Sequence, residues 1–514
     1  MRSLEALLAL PATLGLLSGV SGTFFYPNSQ TSLLEHILVD THGAHSSGFA
    51  NAITPCSKYP NYVSGNQSMG RTTAAQWLRV AFHDFVTANV AAGTGGIDAS
   101  IGFETLREEN SGTAFNDSFS FFRPYVNPVI STADLVALSV VMSVGNCGGA
   151  QIPFKAGRID ATGGGAFGVP APDTDLPTTL GYFSGAGFNQ ADSIGLTACG
   201  HTLGSVHHGG FPTVVGPEAV SPTNIAGGIH LDSTVANFDP LVVHEYLNGT
   251  GQAGGPLVTS FNVSSRSDLR LYESDNNATM IALGEQGEGF QNTCVNLLGR
   301  MIDTVPKGVV LSDIVTPINV KPINATLDFD NQGNLIFSGY IRVRHPSPPS
   351  SQGSLFLITS SSPPIPLTAE SATGTSIFGT TTFYPFSTRI NDADSFTHFT
   401  ISSHAGLHTF AVQASAFVVP SLTSRFSTTT TSLNFTIASK SSGGPNVKVQ
   451  APVGQQGTLG PAIKTFSDVD VSTAGKKAGY ELWEGSVDIG SLATGALSIA
   501  VLDERGNEID VGFF

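Results

Sequence analysis

The sequence predicts a mainly α domain over residues 23–309, followed by an all-β, sandwich-like domain over residues 310–514. Length is the first reason, because 514 residues exceed what one hydrophobic core ordinarily organises. The second is a change of pattern near Pro306. Before it, segments of helical spacing alternate with Gly/Pro-rich loops; after it, Thr, Ser, Val and Phe dominate and apolar residues recur with period two. Ahead of both parts, residues 1–22 combine Arg2, a short apolar run and the small residues Val20, Ser21 and Gly22. That arrangement predicts a secretory signal peptide cleaved after Gly22 rather than a membrane span.

The first informative helix contains LRVAFHDF, residues 78–85. It sets Arg79 and His83 one turn apart on the same face. Such a pair suits peroxide O–O cleavage: the imidazole carries a proton from one oxygen to the other, and the guanidinium stabilises the developing charge. Alone, Arg and His four apart are more often two surface residues. A second helix, from Ser131 to Val144, opens on a Ser-x-x-Asp capping box and stops at Gly145. A third, from Asn189 to His201, opens likewise with Asn189 as cap and Asp192 three residues on. The last runs from Gly289 to Ile302.

In the β part, Leu327 and Phe329, a DNQGN turn, then Leu335 and Phe337 predict a hairpin. Ala496–Val501, an ERGN turn and Glu508–Val511 predict another. Frequent turns between short strands predict a sandwich. The run from Ser427 to Ser432 reads as strand or loop rather than linker. This part holds no acid–base cluster, so it is expected to fold by itself and to serve solubility or attachment to cell-wall polymers. Truncation near Val310 is expected to leave the chemistry of the first part intact.

Lys and Arg number 23 against 39 Asp and Glu, a formal net charge of −16. An acidic chain without a basic patch argues against nucleic acid and anionic membranes as partners. No run after the signal peptide is long and apolar enough to cross a bilayer, and the C-terminus lacks a lipid-anchor tail. The expected product is secreted, extracellular and soluble. Sequons at Asn66, Asn116, Asn248, Asn262, Asn277, Asn324 and Asn434 agree. Cysteines stand at 56, 147, 199 and 294 without a C-x-x-C motif, so disulfides are expected rather than a zinc site.

From Arg79 to Asp268 the chain resembles the plant and fungal haem peroxidase superfamily. The likeness covers about residues 70–305 and is nearest the secreted fungal, class II-like members, because several independent motifs occur in order. Arg79, Phe82 and His83 resemble the family's R-x-x-F-H. Asn110 resembles the residue whose amide oxygen accepts from the distal imidazole, and Glu104 the carboxylate joining that segment to a calcium site. The resemblance implies that His201, in LTACGHTLG, is the axial ligand of one non-covalent haem b. It implies that Asp268 accepts from the other ring nitrogen of His201 and makes it more basic. Pro170 and Pro172 resemble the loop at the haem edge where small donors approach.

Two calcium ions are implied as well, since alternating carboxylate, hydroxyl and carbonyl oxygens suit that cation. The first site would use Asp84, Gly96, Asp98 and Ser100; the second Thr202, Asp232, Thr234, Asn237 and Asp239. Asn237 departs from the family's usual Thr. The resemblance pairs Cys147 with an upstream cysteine, for which Cys56 is the candidate. Cys199 and Cys294 form a second bridge or leave Cys199 a buried free thiol.

Thr72, Gln76 and Leu203 stand where manganese-oxidising relatives carry carboxylates. Leu196 falls near the surface Trp of lignin-oxidising relatives, and Leu231 replaces a radical-forming Trp or a Phe. The implied activity is therefore hydrogen-peroxide-dependent one-electron oxidation of small phenolic or aromatic donors at the haem edge. Two other readings compete: a non-haem metal held by His201, His207, His208, His230 and His244, and a wall-associated adhesion or binding protein with a catalytically weak peroxidase fold.

Overall fold

The computed structural model describes residues 24–59, 71–287, 289–345, 354–360, 362–403, 406–427, 431–467, 469–490 and 494–514. The expected signal peptide and the sequon at Asn66 lie outside them. The helical half holds α1 (Ser29–Val39), α2 (Thr73–Phe85), α3 (Ala114–Phe122), α4 (Thr132–Asn146), α5 (Leu176–Gly185) and α6 (Gln190–Gly200). It continues with α7 (Leu241–Asn248), the single turn α8 (Pro256–Thr259), α9 (Ser267–Tyr272), α10 (Ala278–Glu285) and α11 (Gly289–Asp303). None of the described helices is long and apolar enough to cross a membrane.

Local chemistry accounts for the helix starts. On α6 the box is complete: Asn189 Oδ1 accepts from Asp192 N–H at 2.9 Å, and Asp192 Oδ2 accepts from Asn189 N–H at 3.2 Å. On α4 only half of the expected box forms. Ser131 Oγ accepts from Asp134 N–H at 3.0 Å, but the Asp134 carboxylate takes Gly157 N–H at 3.0 Å and Arg158 N–H and Nη1 at 3.1 Å. The buried Arg158 guanidinium outcompetes the cap because it brings charge as well as a donor.

The all-β expectation for the second part holds, and it is realised in two units rather than one. In the first, a five-stranded sheet orders His42–Gly43, Thr373–Ser376, Gly379–Arg389, Leu335–His345 and Val320–Phe329. It shares a core of Leu327, Phe337, Phe386 and Phe399 with a four-stranded sheet. In the second unit, sheets built around Thr431–Ser439 and Asn446–Gly454 enclose Leu433, Phe435, Val449 and Ile499. Both predicted hairpins are present in register: Phe329 faces Leu335, and Val501 faces Asp510.

The two halves are tied across the expected boundary at residue 310. His42–Gly43 supplies the edge strand of the first β sheet, and Phe24 N–H donates to Ala325 O at 3.1 Å. A buried ion cluster joins α1 to the sheet. Arg342 Nη1 lies 2.7 Å from Asp40 and Nη2 2.5 Å from Glu35, while Lys321 Nζ lies 2.6 Å from Glu35. Burial alone would raise the Glu35 pKa; Lys321 and Arg342 reverse that and hold it below the usual carboxylate range. A cut near Val310 would strip Glu35 of Lys321 and Arg342 and leave Asp40 only His36 on α1, and unpairing a buried ion pair costs about 3–5 kcal/mol. Phe513, the penultimate residue, packs into the helical core with its ring 5.3 Å from Phe25.

Candidate active site

Helix α2 buries Trp77, Val80 and Ala81 in the helical core and turns Arg79, Phe82 and His83 toward a cavity of ≈ 390 Å³. His83 lies 2.7 Å, Nδ1 to Oδ1, from Asn110. Asn110 Nδ2 donates to Glu104 O at 3.1 Å, so the amide oxygen is the atom left to accept. His83 therefore carries its proton on Nδ1 and keeps Nε2 free. Burial, reinforced by the Arg79 charge and only partly opposed by Asn110, pushes the His83 pKa down to about 3. The imidazole is neutral over the physiological range, as a base must be.

Arg79 donates to Ser111 O at 2.9 Å. Its guanidinium lies 5.0 Å from the ring centre of Phe115 and 5.6 Å from that of Phe211. Burial lowers its pKa to about 10, which leaves it cationic. Phe115 also stands edge-on to His83 at 5.3 Å, so one ring steadies both side chains. Neither phenylalanine was predicted.

The opposite wall is α6. It ends at His201, whose Nδ1 lies 2.6 Å from Asp268 Oδ2 on α9. Burial would lower the His201 pKa, but Asp268 outweighs it and the net shift is upward. With the Nδ1 proton given to a carboxylate, Nε2 is free to ligate a metal. The ring keeps 30 % of its side-chain surface accessible, because it borders the cavity. Leu203, Leu231, Leu271 and Phe183 supply apolar walls. A largely apolar cavity that both imidazoles line would suit a haem, with His201 as the side chain that would hold it.

Pro170 and Pro172 line the same cavity, as expected. Arg270, on α9, anchors their loop by donating to Pro172 O at 2.7 Å and Thr174 O at 2.9 Å. Gln76 is occupied by Thr113 and Asp117, and Thr72 caps α2. Glu108 and Glu109, which sequence reading passed over, reach the cavity rim; Glu109 Oε2 accepts from Gly168 N–H at 2.9 Å.

Both acidic loops assemble. Asp84 accepts from the N–H groups of Asp98, Ala99 and Ile101 at 2.8–3.1 Å, and Ser100 Oγ lies 3.4 Å away. Burial and the nearby Asp98 charge raise the Asp84 pKa well above normal. Gly96 has φ +104°, and a Cβ there would meet Thr304 O at 2.5 Å, so the loop requires glycine. In the second loop Thr234 Oγ1 joins Asp232 to Asp239, and Thr202 Oγ1 accepts from Asp239 N–H at 3.2 Å and approaches Asn237 O at 3.3 Å. Asp232 Oδ2 is buried without a partner among the described residues, and burial pushes its pKa up to about 7. Such an orphaned carboxylate oxygen fits a cation.

The competing histidine site is not assembled. His208 Nδ1 meets Val215 O and His230 Nδ1 meets Ser205 Oγ. Among the described residues no group of three or more His, Cys, Asp or Glu is arranged to hold a metal ion. Both cysteine pairs are bridged, Cys56–Cys147 and Cys199–Cys294. The second ties α6, two residues before His201, to α11.

Residues 61–277 match the family model described as peroxidase. A WSC domain-containing protein of Arthroderma benhamiae is 39% identical over 338 residues, 65% of this chain and 45% of that protein. Peroxisomal L-ascorbate peroxidase 5 of Arabidopsis thaliana is 35% identical over 139 residues, 27% of this chain and 50% of that protein. Mitochondrial cytochrome c peroxidase of Yarrowia lipolytica is 32% identical over 160 residues, 28% of this chain and 44% of that protein. The chain thus spans about half the length of these curated relatives.

Proposed function

Because its helical half makes this chain a member of the peroxidase superfamily, we propose that it is an exported haem peroxidase that uses hydrogen peroxide to oxidise small aromatic donors. The observation that carries the reading is the pair of imidazoles on one cavity, His83 backed by a neutral amide and His201 by a carboxylate. His201 Nε2 would hold the iron of haem b. Bound there, the haem supplies the oxidising capacity for two successive one-electron steps. His83 Nε2 takes the proton of the nearer peroxide oxygen and delivers it to the departing one, typically worth about 10²–10⁴-fold. Arg79, held between two aromatic rings, stabilises the charge on that departing oxygen.

Phenols approach beside Pro170, where Arg270 fixes the loop. Calcium belongs to the reading as a brace, held through Asp84 and Asp98 on one side and Asp232 and Asp239 on the other. Export is supported by the two disulfides and by exposed sequons at Asn116, Asn248 and Asn434.

Titrating the full chain with haem tests the proposal. The expected result is saturation at one equivalent with a Soret band that His201→Ala abolishes. A His201→Ala protein of unchanged spectrum and haem affinity would overturn the assignment.

A further inference from the structure

The turn between the strands Asn446–Gly454 and Pro461–Phe466 reaches out of the second β unit and rests on the helical half. Two bonds within residues 455–460 set its shape. Thr458 Oγ1 accepts from Gly460 N–H at 3.2 Å, and Gln455 Nε2 donates to Gly460 O at 3.3 Å. Leu459 is half-buried against the helical core, and its N–H donates to Gly102 O at 3.0 Å. The fit is close: a Cβ on Gly102 would stand 2.9 Å from both Thr458 Oγ1 and the Phe119 ring of α3. A tight turn such as Asn-Gly would suffice to join Gly454 to Pro461, so the longer one needs a reason.

Gly102 lies between two segments that hold the distal pair. On one side, Ile101 N–H donates at 3.1 Å to Asp84, the residue after His83. On the other, Glu104 O accepts from Asn110 Nδ2 at 3.1 Å, which leaves the Asn110 oxygen for His83. Ser111, the next residue, supplies the carbonyl to which Arg79 donates. Ser100–Phe103 is itself one short 3-10 helix. Its hydrogen-bond geometry is poorer than that of an α-helix, so its place depends on what packs against it. The matching family model ends at residue 277, and the turn lies outside it.

We propose that this turn is a positioning element for the peroxide step: seated on Gly102, it fixes segment 98–111 and through it the places of His83 and Arg79. The role rests on the haem peroxidase reading. Leu459 and Thr458 touch none of the reacting atoms and act through Gly102 and the Asn110 amide. Proton transfer by an imidazole depends on its placement, and a displacement of about 1 Å can cost about 10²-fold. The second β unit thereby takes part in chemistry performed by the helical half.

The test replaces residues 455–460 of the full chain by Asn-Gly, which closes the hairpin beyond the Gly454–Pro461 pair and removes the contact. Leu459→Ala is a milder variant. Ile499→Val, in the core of the same unit, is the control for lost stability alone. Hydrogen–deuterium exchange is followed by mass spectrometry over residues 98–111, and stopped flow gives the peroxide rate of the haem-loaded proteins. The shortened turn is expected to speed exchange of that segment about ten-fold and to slow the peroxide reaction about ten-fold. The Soret band and the turnover of a small phenol at saturating peroxide are expected to stay unchanged, which a general loss of folded protein would not allow. Leu459→Ala should shift exchange and rate the same way by a smaller factor, and Ile499→Val should shift neither. Unchanged exchange in the shortened variant would overturn the proposal, as would faster exchange with an unchanged peroxide rate, or an Ile499→Val protein that matches Leu459→Ala in both. Should the shortened chain fail to fold, Leu459→Ala decides by the same criteria. A wild-type Soret band that does not form or does not respond to peroxide would instead overturn the haem peroxidase reading, and the role in catalysis with it, even where the exchange result stands.

Discussion

The distal and proximal walls of the cavity each present one imidazole. Behind His83 stands an amide that accepts one proton and offers no charge, while burial and the Arg79 cation drive the ring toward neutrality. Behind His201 stands a carboxylate that draws the same kind of ring toward the charged form. Both rings have Nδ1 engaged and Nε2 free. The difference teaches that chemistry here is assigned by the partner behind the ring, and that a base and a ligand can be made from one residue type within one cavity.

Removing the distal imidazole should have the largest effect. His83→Leu is expected to slow the reaction with peroxide by about 10²–10⁴-fold, with the Soret band retained. Stopped-flow absorbance measures this, and near-normal reactivity would dissolve the distinction between the walls. Making the two partners alike comes next. Asp268→Asn puts an amide behind both rings, and loss of such an outer partner typically costs about 10–100-fold in metal affinity or activity. Haem affinity by spectrophotometric titration reads it; an unchanged affinity and peroxide rate would mean that the carboxylate does not define the proximal wall.

Calcium should act on both walls together through the scaffold. An ion bound only by the native state stabilises it by mass action, so chelation should lower the melting temperature, and Asp98→Ala and Asp232→Ala should mimic it. Protein shown by elemental analysis to be calcium-free, yet melting unchanged, would reduce the loops to ordinary turns. A smaller effect is expected from Phe211→Leu. It removes one face of the Arg79 sandwich, a contact worth about 0.5–2 kcal/mol, and should lower the peroxide rate several-fold without altering haem affinity.

Much of the site was legible because its signals are local. The one-turn spacing of Arg79 and His83, the cap at Asn189 and the alternating oxygens of 96–100 each lie within one element. The order of these motifs then brought in Asn110, His201 and Asp268. What was not legible depends on chain segments distant in sequence. Nothing near Phe211 marks it as a partner of Arg79, because the two meet only in the folded chain. Period-two alternation identified strands such as Leu335–His345 but not their neighbours, which is why one sandwich was expected where two cores exist. The ion cluster of Glu35, Asp40, Lys321 and Arg342 was hidden for the same reason, since α1 and the β strands look independent in sequence.

The contrast between the two histidines is tested most directly by the pH dependence of the peroxide reaction. The His83 pKa is lowered from 6.5 to about 3. Its free base therefore persists well below neutrality, and the stability it contributes is present above pH 6.5 and is lost as pH falls toward 3. The second-order rate constant of the haem-loaded protein, measured by stopped flow from pH 8 to pH 5, is predicted to stay flat. A fall with a midpoint near 6.5 that His83→Leu abolishes would show an ordinary histidine on the distal wall and contradict the account.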